Sequence, residues 1–114
     1  MALGISEKRN FPRIALKAPL KYKIRGRQEF ASVLTDDIGA GGVSFLNSAF
    51  ISPKTPVELE FSLLSRALNP IGKVAWSSPL RHSNRYRTGV EFTELDPGQK
   101  NHLLEYINMQ QALS

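Results

Sequence analysis

The sequence predicts an all-β domain: a six-stranded antiparallel barrel followed by one C-terminal helix. Three observations predict it. Short runs alternate apolar and polar residues with period two, turn-forming residues separate those runs, and only the end of the chain changes to the mixed three- and four-residue spacing of a helix. With 114 residues, 41% of them hydrophobic, the chain makes one domain with a modest core.

The first strand runs from Ile14 to Arg25. Ile14, Leu16, Ala18, Leu20, Tyr22 and Ile24 form its apolar face, while Lys17, Lys21, Lys23 and Arg25 make the other face basic and solvated. Pro19 cannot donate to a ladder and marks an edge or a bulge. Arg25-Gly26-Arg27-Gln28 reads as a hairpin turn into a second strand, Phe30 to Asp36. The glycines between 39 and 42 then turn the chain into a third, Val43 to Asn47. Val57, Leu59, Phe61 and Leu63 alternate with Glu58, Glu60 and Ser62 in the fourth. Ile71 to Ser77 and Tyr86 to Phe92 are the fifth and sixth, the last with Thr88, Val90 and Phe92 on one side. Asp96-Pro97-Gly98-Gln99 is a helix start, with Asp as N-cap, Pro at N1 and Gln in the capping-box position. Leu103, Leu104, Tyr106, Ile107 and Leu113 follow, so the helix plugs or flanks the barrel, or alternatively forms a dimer contact. The domain organisation is therefore a flexible basic arm over 1–12, a barrel over 13–94 and its helix over 95–114.

Composition excludes several function classes. The absence of cysteine removes disulfides, thiolate metal sites and a cysteine nucleophile, and fits a reducing, cytoplasmic setting. The opening MALGISEKRNF has no signal-peptide apolar run, and no segment is apolar enough for membrane insertion. His82 and His102 have no partner at metal-ligand spacing, and no nucleophile elbow or phosphate-binding P-loop occurs. Asp36 and Asp37 are adjacent, so strand alternation sends them to opposite faces and makes them a poor acid/base pair. The expectation is that the protein is not an enzyme and has neither metal nor cofactor.

The charge is uneven. Residues 1–27 hold eight Lys/Arg against one acidic residue, a net +7, whereas the remainder is net −2. Such a local field attracts anions. Arg9 and Arg13 place two planar guanidinium forks ahead of the first strand, and such forks match phosphate oxygens and the O6/N7 edge of guanine. The turn Asp37-Ile38-Gly39-Ala40-Gly41-Gly42 adds a carboxylate acceptor and backbone N–H groups with little side chain in the way. Together they suggest a pocket for an anionic guanine nucleotide. The blander readings are an exposed basic tail and a plain hairpin turn, in which Asp37 is an Asx-type residue and Gly39 and Gly41 simply permit the turn.

These residues resemble the PilZ domain, the bacterial receptor for cyclic di-GMP. Glu7-Lys8-Arg9-Asn10-Phe11-Pro12-Arg13 is similar to the family's RxxxR arm, and Asp37 to Val43 to its [D/N]xSxxG turn. Gly72-Lys73-Val74-Ala75-Trp76 and Tyr86-Arg87-Thr88-Gly89-Val90-Glu91-Phe92 resemble two later strand signatures. The resemblance implies cyclic di-GMP as ligand, bound by Arg9, Arg13, Asp37, Gly39 and Gly42, with Lys8, Gly41 and Trp76 in a second tier. Asp37 would accept from guanine N1–H and N2–H2, and Gly42 would serve close backbone approach or a positive φ. Lys8 would influence whether one ligand molecule or a stacked pair binds. Trp76 reads first as core, with a guanine-facing ring as the alternative. Gly39 stands where the family has serine, so one ligand hydrogen bond is missing. The implied mechanism has the arm mobile when empty and ordered by the ligand, as a signal to a downstream protein partner. The protein would be a monomer or weak dimer, acting in bacterial motility or biofilm control. One alternative is a degenerate PilZ-like adaptor that binds protein partners, in pilus or flagellar control, without nucleotide. Another is a small barrel binding RNA or single-stranded DNA; the basic first strand permits it, but inward-facing aromatics leave no stacking platform.

Overall fold

The computed structural model describes residues 12–113. In chain order it contains β1 (Arg13–Ala15), β2 (Pro19–Ile24), β3 (Ala31–Gly39), β4 (Gly42–Asn47), β5 (Pro56–Leu63), β6 (Arg66–Leu68), β7 (Ile71–Pro79), β8 (Tyr86–Glu94) and α1 (Pro97–Leu113). Every pairing is antiparallel. The order β3-β2-β5-β7-β8-β4 closes because β4 also pairs with β3, which gives a six-stranded barrel. The short β1 and β6 are additions to it, β1 on β3 and β6 on β5.

The period-two pattern decides what fills the barrel. Leu20 and Tyr22, Val43 and Phe45, and Val57 through Leu63 at alternate positions are buried, and Tyr22 stacks on Phe45 at 4.9 Å between centroids. Each fully buried aliphatic or aromatic side chain stabilises the fold by about 1.5–3 kcal/mol. Leu103 and Ile107, four apart on α1, complete the core, while Leu104 and Leu113 stay exposed. The helix therefore flanks the barrel near β1 and is tied to the β5–β6 hairpin by His102, whose Nε2 donates to the Leu63 carbonyl at 2.7 Å.

Three features depart from the sequence reading. The first predicted strand is two strands, interrupted at 16–18. Pro19 has no N–H to continue the ladder, and the buried Thr35 hydroxyl takes over locally, accepting from Ala18 N at 2.9 Å and facing the Leu16 carbonyl at 2.5 Å. The second strand extends beyond Asp36 to Gly39, so Asp37 belongs to a strand and the turn shrinks to Ala40-Gly41. That turn is held to the wall by Phe92 N donating to the Gly41 carbonyl at 2.8 Å. Finally, β6 was not predicted, because its hairpin uses Leu64 and Ser65 at φ 50° and 66° in place of glycine or asparagine.

The helix start is as read, with Asp96 Oδ2 accepting from Gly98 N and Gln99 N at 3.0 and 3.2 Å. The reciprocal half of the capping box does not form. Gln99 instead clasps Asn69, receiving from its N–H at 3.0 Å and donating to its side-chain oxygen at 2.8 Å. A polar chain, buried at Asn47 and Thr88, links β4, β7 and β8. Ile51 N donates to Ser77 Oγ, Ser77 to Thr88 Oγ1, Thr88 to Asn47 Oδ1, and Asn47 Nδ2 to the Ala49 carbonyl. Thr88 has one proton and gives it to Asn47, which makes Ser77 the donor to Thr88.

Candidate ligand-binding groove

Two β-bulges assemble a groove on the outside of the barrel. The β3–β4 register shifts between Thr35 and Asp37, so Thr35 points inward opposite Phe45 while Asp37 points outward opposite Ser44. Asp36, the extra residue, and Asp37 then line the same groove. The two carboxylates therefore do not take opposite faces, as strict alternation had predicted. The β7–β8 register shifts between Val74 and Trp76. Alternation from the inward Val74 would bury Trp76; the extra residue turns it outward opposite Gly89, where it is 41% exposed. Trp76 is accordingly not core, and it offers a flat ring on the surface. In register, Asp37, Ser44, Gly89 and Trp76 form one row across four strands.

Glycines let the ring and the neighbouring backbone lie close along that row. A Cβ at Gly89 would overlap the Trp76 indole, and one at Gly42 would overlap the Val90 carbonyl. Gly42 thus serves close backbone approach, not a positive φ. Gly39 pairs with Arg13, and a Cβ there would sit 3.1 Å from Arg13 Cγ. Glycine lets Arg13 lie flat over β3. The resulting groove has a volume of about 410 Å³ and is lined by Arg13, Asp36, Asp37, Ser44, Trp76, Arg87 and Glu91 over Gly41, Gly42 and Gly89. Other hollows, of about 530 to 660 Å³, are larger. Volume does not select the site; converging ionic groups beside an aromatic ring do.

The groups are paired with one another. Arg13 NH2 donates to Asp37 Oδ1 at 2.6 Å, and Ser44 Oγ donates to the same oxygen at 2.7 Å. Arg87 Nε lies 3.3 Å and Lys17 Nζ 3.9 Å from the Asp36 carboxylate. Burial alone would push the Asp37 carboxyl up. The hydrogen bonds from Arg13 and Ser44 and the charges of Arg13 and Arg87 outweigh it and hold the group below the usual aspartate value. Asp37 is therefore an ionised acceptor at neutral pH, unsuited to proton donation.

The structure brings together Arg13, Asp37, Gly41, Gly42 and Trp76, with Gly39 packed beneath Arg13. Arg9 and Lys8 lie outside the described residues. Arg13 opens β1, in register with Gly39 and bonded to Asp37, so it is not part of a free arm. Sequence reasoning missed Ser44, Arg87 and Asp36. The first two were readable: Val43 and Phe45 point inward, as do Thr88 and Val90, which leaves Ser44 and Arg87 outward. Asp36 was hidden by its bulge. Among the described residues no group of His, Cys, Asp and Glu is placed to hold a metal ion, and no helix is long and apolar enough to cross a membrane.

Comparison with known proteins agrees with this architecture. The family model for the PilZ domain matches residues 7–109. No curated protein matches the sequence. Among solved structures, the motility inhibitor MotI/DgrA of Bacillus subtilis is similar with a TM-score of 0.81 at 17% identity, over 91% of this chain and 51% of that one. The PilZ domain of Escherichia coli YcgR, solved with c-di-GMP, gives 0.71 at 11% identity, covering 93% of this chain and 94% of that one. PlzA of Borreliella burgdorferi, in complex with c-di-GMP, gives 0.63 at 17% identity, over 91% and 44%. The chain thus spans about half the length of MotI/DgrA. At these identities the likeness is one of fold.

Proposed function

The chain belongs to the PilZ domain family, and on that premise we propose that it is a non-enzymatic receptor for cyclic di-GMP, acting in the bacterial cytoplasm. The observation that carries the reading is the groove. Two arginines, an ionised carboxylate and an exposed indole converge over a glycine floor, and these are the groups an anionic bis-guanine ligand needs. Arg13 and Arg87 supply bidentate forks for phosphate or for the O6/N7 edge of a base. Asp37 accepts from guanine N1–H and N2–H2, and Trp76 gives a base a ring to stack on. Gly41, with nothing within 4 Å of where a Cβ would stand, admits the ligand close to the backbone, Gly42 and Gly39 hold the floor and Arg13 in place, and Arg9 with Lys8 adds charge from the preceding segment. That segment closes over the nucleotide and so creates the surface a downstream protein partner reads, an order–disorder switch limited by the ligand's differential affinity for the two arrangements.

The Arg13–Asp37 pair must open for Arg13 to reach a phosphate. Its side chains are 44% and 36% exposed, and such a pair is worth about 0–1 kcal/mol, so opening it weakens binding by no more than about fivefold. The missing hydroxyl at Gly39 has an effect of similar size, roughly 0.5–1.5 kcal/mol.

One observation favours a second reading, a PilZ adaptor that binds protein without nucleotide: Arg13 and Asp37 are already paired with each other. Calorimetry with cyclic di-GMP separates the two. The receptor reading expects saturable binding that weakens about 10- to 100-fold in Arg13→Ala, the loss of one charge-assisted contact. A titration with no heat and no rise in Tm would leave the adaptor.

A further inference from the structure

We infer that Ser44 is the positioning residue that sets base selectivity in this groove, by holding Asp37 with one carboxylate oxygen turned to a guanine edge. The inference rests on the receptor reading above and concerns a residue outside both arginine and aspartate motifs.

Ser44 is 1% exposed, between two fully buried neighbours, Val43 and Phe45. Its backbone is paired on both sides, to Asp37 and to Gly89. Its hydroxyl therefore starts from a fixed point. Its donor goes to Asp37 Oδ1 at 2.7 Å, the oxygen that also receives Arg13 at 2.6 Å. Among the described residues nothing donates to Oδ2. Arg13 is the less durable of the two partners. It lies on a three-residue strand that, among the described residues, pairs on one side only, its side chain is 44% exposed, and a phosphate competes for its guanidinium. Once Arg13 turns to the ligand, Ser44 is the hydrogen-bond donor that, among the described residues, still keeps the carboxylate from rotating.

Orientation matters because the two purines differ at the edge a carboxylate meets. Guanine presents two adjacent donors, N1–H and N2–H2. Adenine presents an acceptor at N1, which an acceptor-only carboxylate repels. A carboxylate free to rotate can avoid that repulsion, whereas a pinned one cannot. Selectivity built this way depends on an unfavourable contact with the wrong base as much as on a good one with the right base.

The test compares cyclic di-GMP and cyclic di-AMP by calorimetry on the full chain, wild type against Ser44→Ala, Ser44→Cys and Ser44→Thr, with the Asp37 carboxyl titrated by NMR in each. Ser44→Ala and Ser44→Cys should lose about tenfold in cyclic di-GMP affinity while cyclic di-AMP binding rises as the repulsion is relieved, so the ratio narrows. The Asp37 titration should move to higher pH in both, and Ser44→Thr, which keeps the hydroxyl, should restore both readouts. A merely structural serine would weaken the two ligands together, and a ratio equal to wild type in the Ala and Cys variants overturns the inference alone. A wild type that binds no cyclic di-GMP overturns it together with the receptor reading.

Discussion

Replacing Gly89 with alanine tests whether Trp76 is a binding surface. Gly89 stands opposite Trp76 in register, and a Cβ there would lie inside the indole, against Cε2, Nε1 and Cζ2. The backbone at 89 is not left-handed, so alanine keeps the strand and the ring must move. Because Trp76 is 41% exposed, the ring can swing toward solvent. Two opposing terms set the stability change. Alanine narrows the unfolded ensemble by about 0.4–1 kcal/mol, whereas uncovering on the order of 50 Å² of apolar surface costs about 1 kcal/mol. The fold should therefore stay within about 1 kcal/mol of wild type. Binding should change far more, because stacking contributes about 1–3 kcal/mol per base, which is about 5- to 150-fold in affinity. The chain has a single tryptophan, so its fluorescence reads the ring directly. The expected result is a red-shifted emission, a near-normal Tm and weakened cyclic di-GMP binding. Unchanged emission together with unchanged affinity would refute the reasoning.

Acid and core perturbations follow from the same geometry. Asp37 is held below its ordinary value of 3.8, so the stability it contributes is full above that value and is lost as pH falls through its lower folded-state value. The Tm values of wild type and Asp37→Asn should accordingly differ at neutral pH, begin to approach each other as pH falls below 3.8, and converge only below the lower folded-state value, as measured by thermal melts across pH. Thr88→Val keeps the shape but removes the donor to Asn47 Oδ1 and the acceptor for Ser77 inside the barrel. It should cost roughly 1–3 kcal/mol and lower Tm by roughly 4–15 °C in calorimetric melts. A loss within error would mean that water replaces the hydroxyl.

Most of the barrel was legible because its strands are half-buried and write their pleat into the sequence. Val57 to Leu63 is the plainest case, with buried and exposed side chains alternating. Pro19 announced an irregularity, although not that Thr35 would bridge it. What escaped were shifts of one residue. The bulges at Asp36 and Ala75 change no composition, yet each reverses the face of the residues beyond it, which is how Trp76 passed for core and Asp36 for a residue on the far face. The β5–β6 hairpin escaped for a different reason: Leu64 and Ser65 adopt conformations usually left to glycine, and His102 anchors the adjacent Leu63 carbonyl from the helix. Within the site, the arginine and aspartate motifs drew attention to Arg13 and Asp37. Ser44 needed only the inward Val43 and Phe45 on either side, and Arg87 the inward Thr88 and Val90 that follow it, to be noticed.

Closure of the six strands has a consequence for how such a domain could signal. A strand in a closed ring has no slack, since moving it would open hydrogen bonds along both of its edges. A molecule landing on the outer wall is not transmitted through the wall by bending it. The message has to be posted where it arrives, with the small molecule and the protein skin around it making up a single composite face. A reader of that face would then need to recognise both, and neither the bare barrel nor the free nucleotide would suffice.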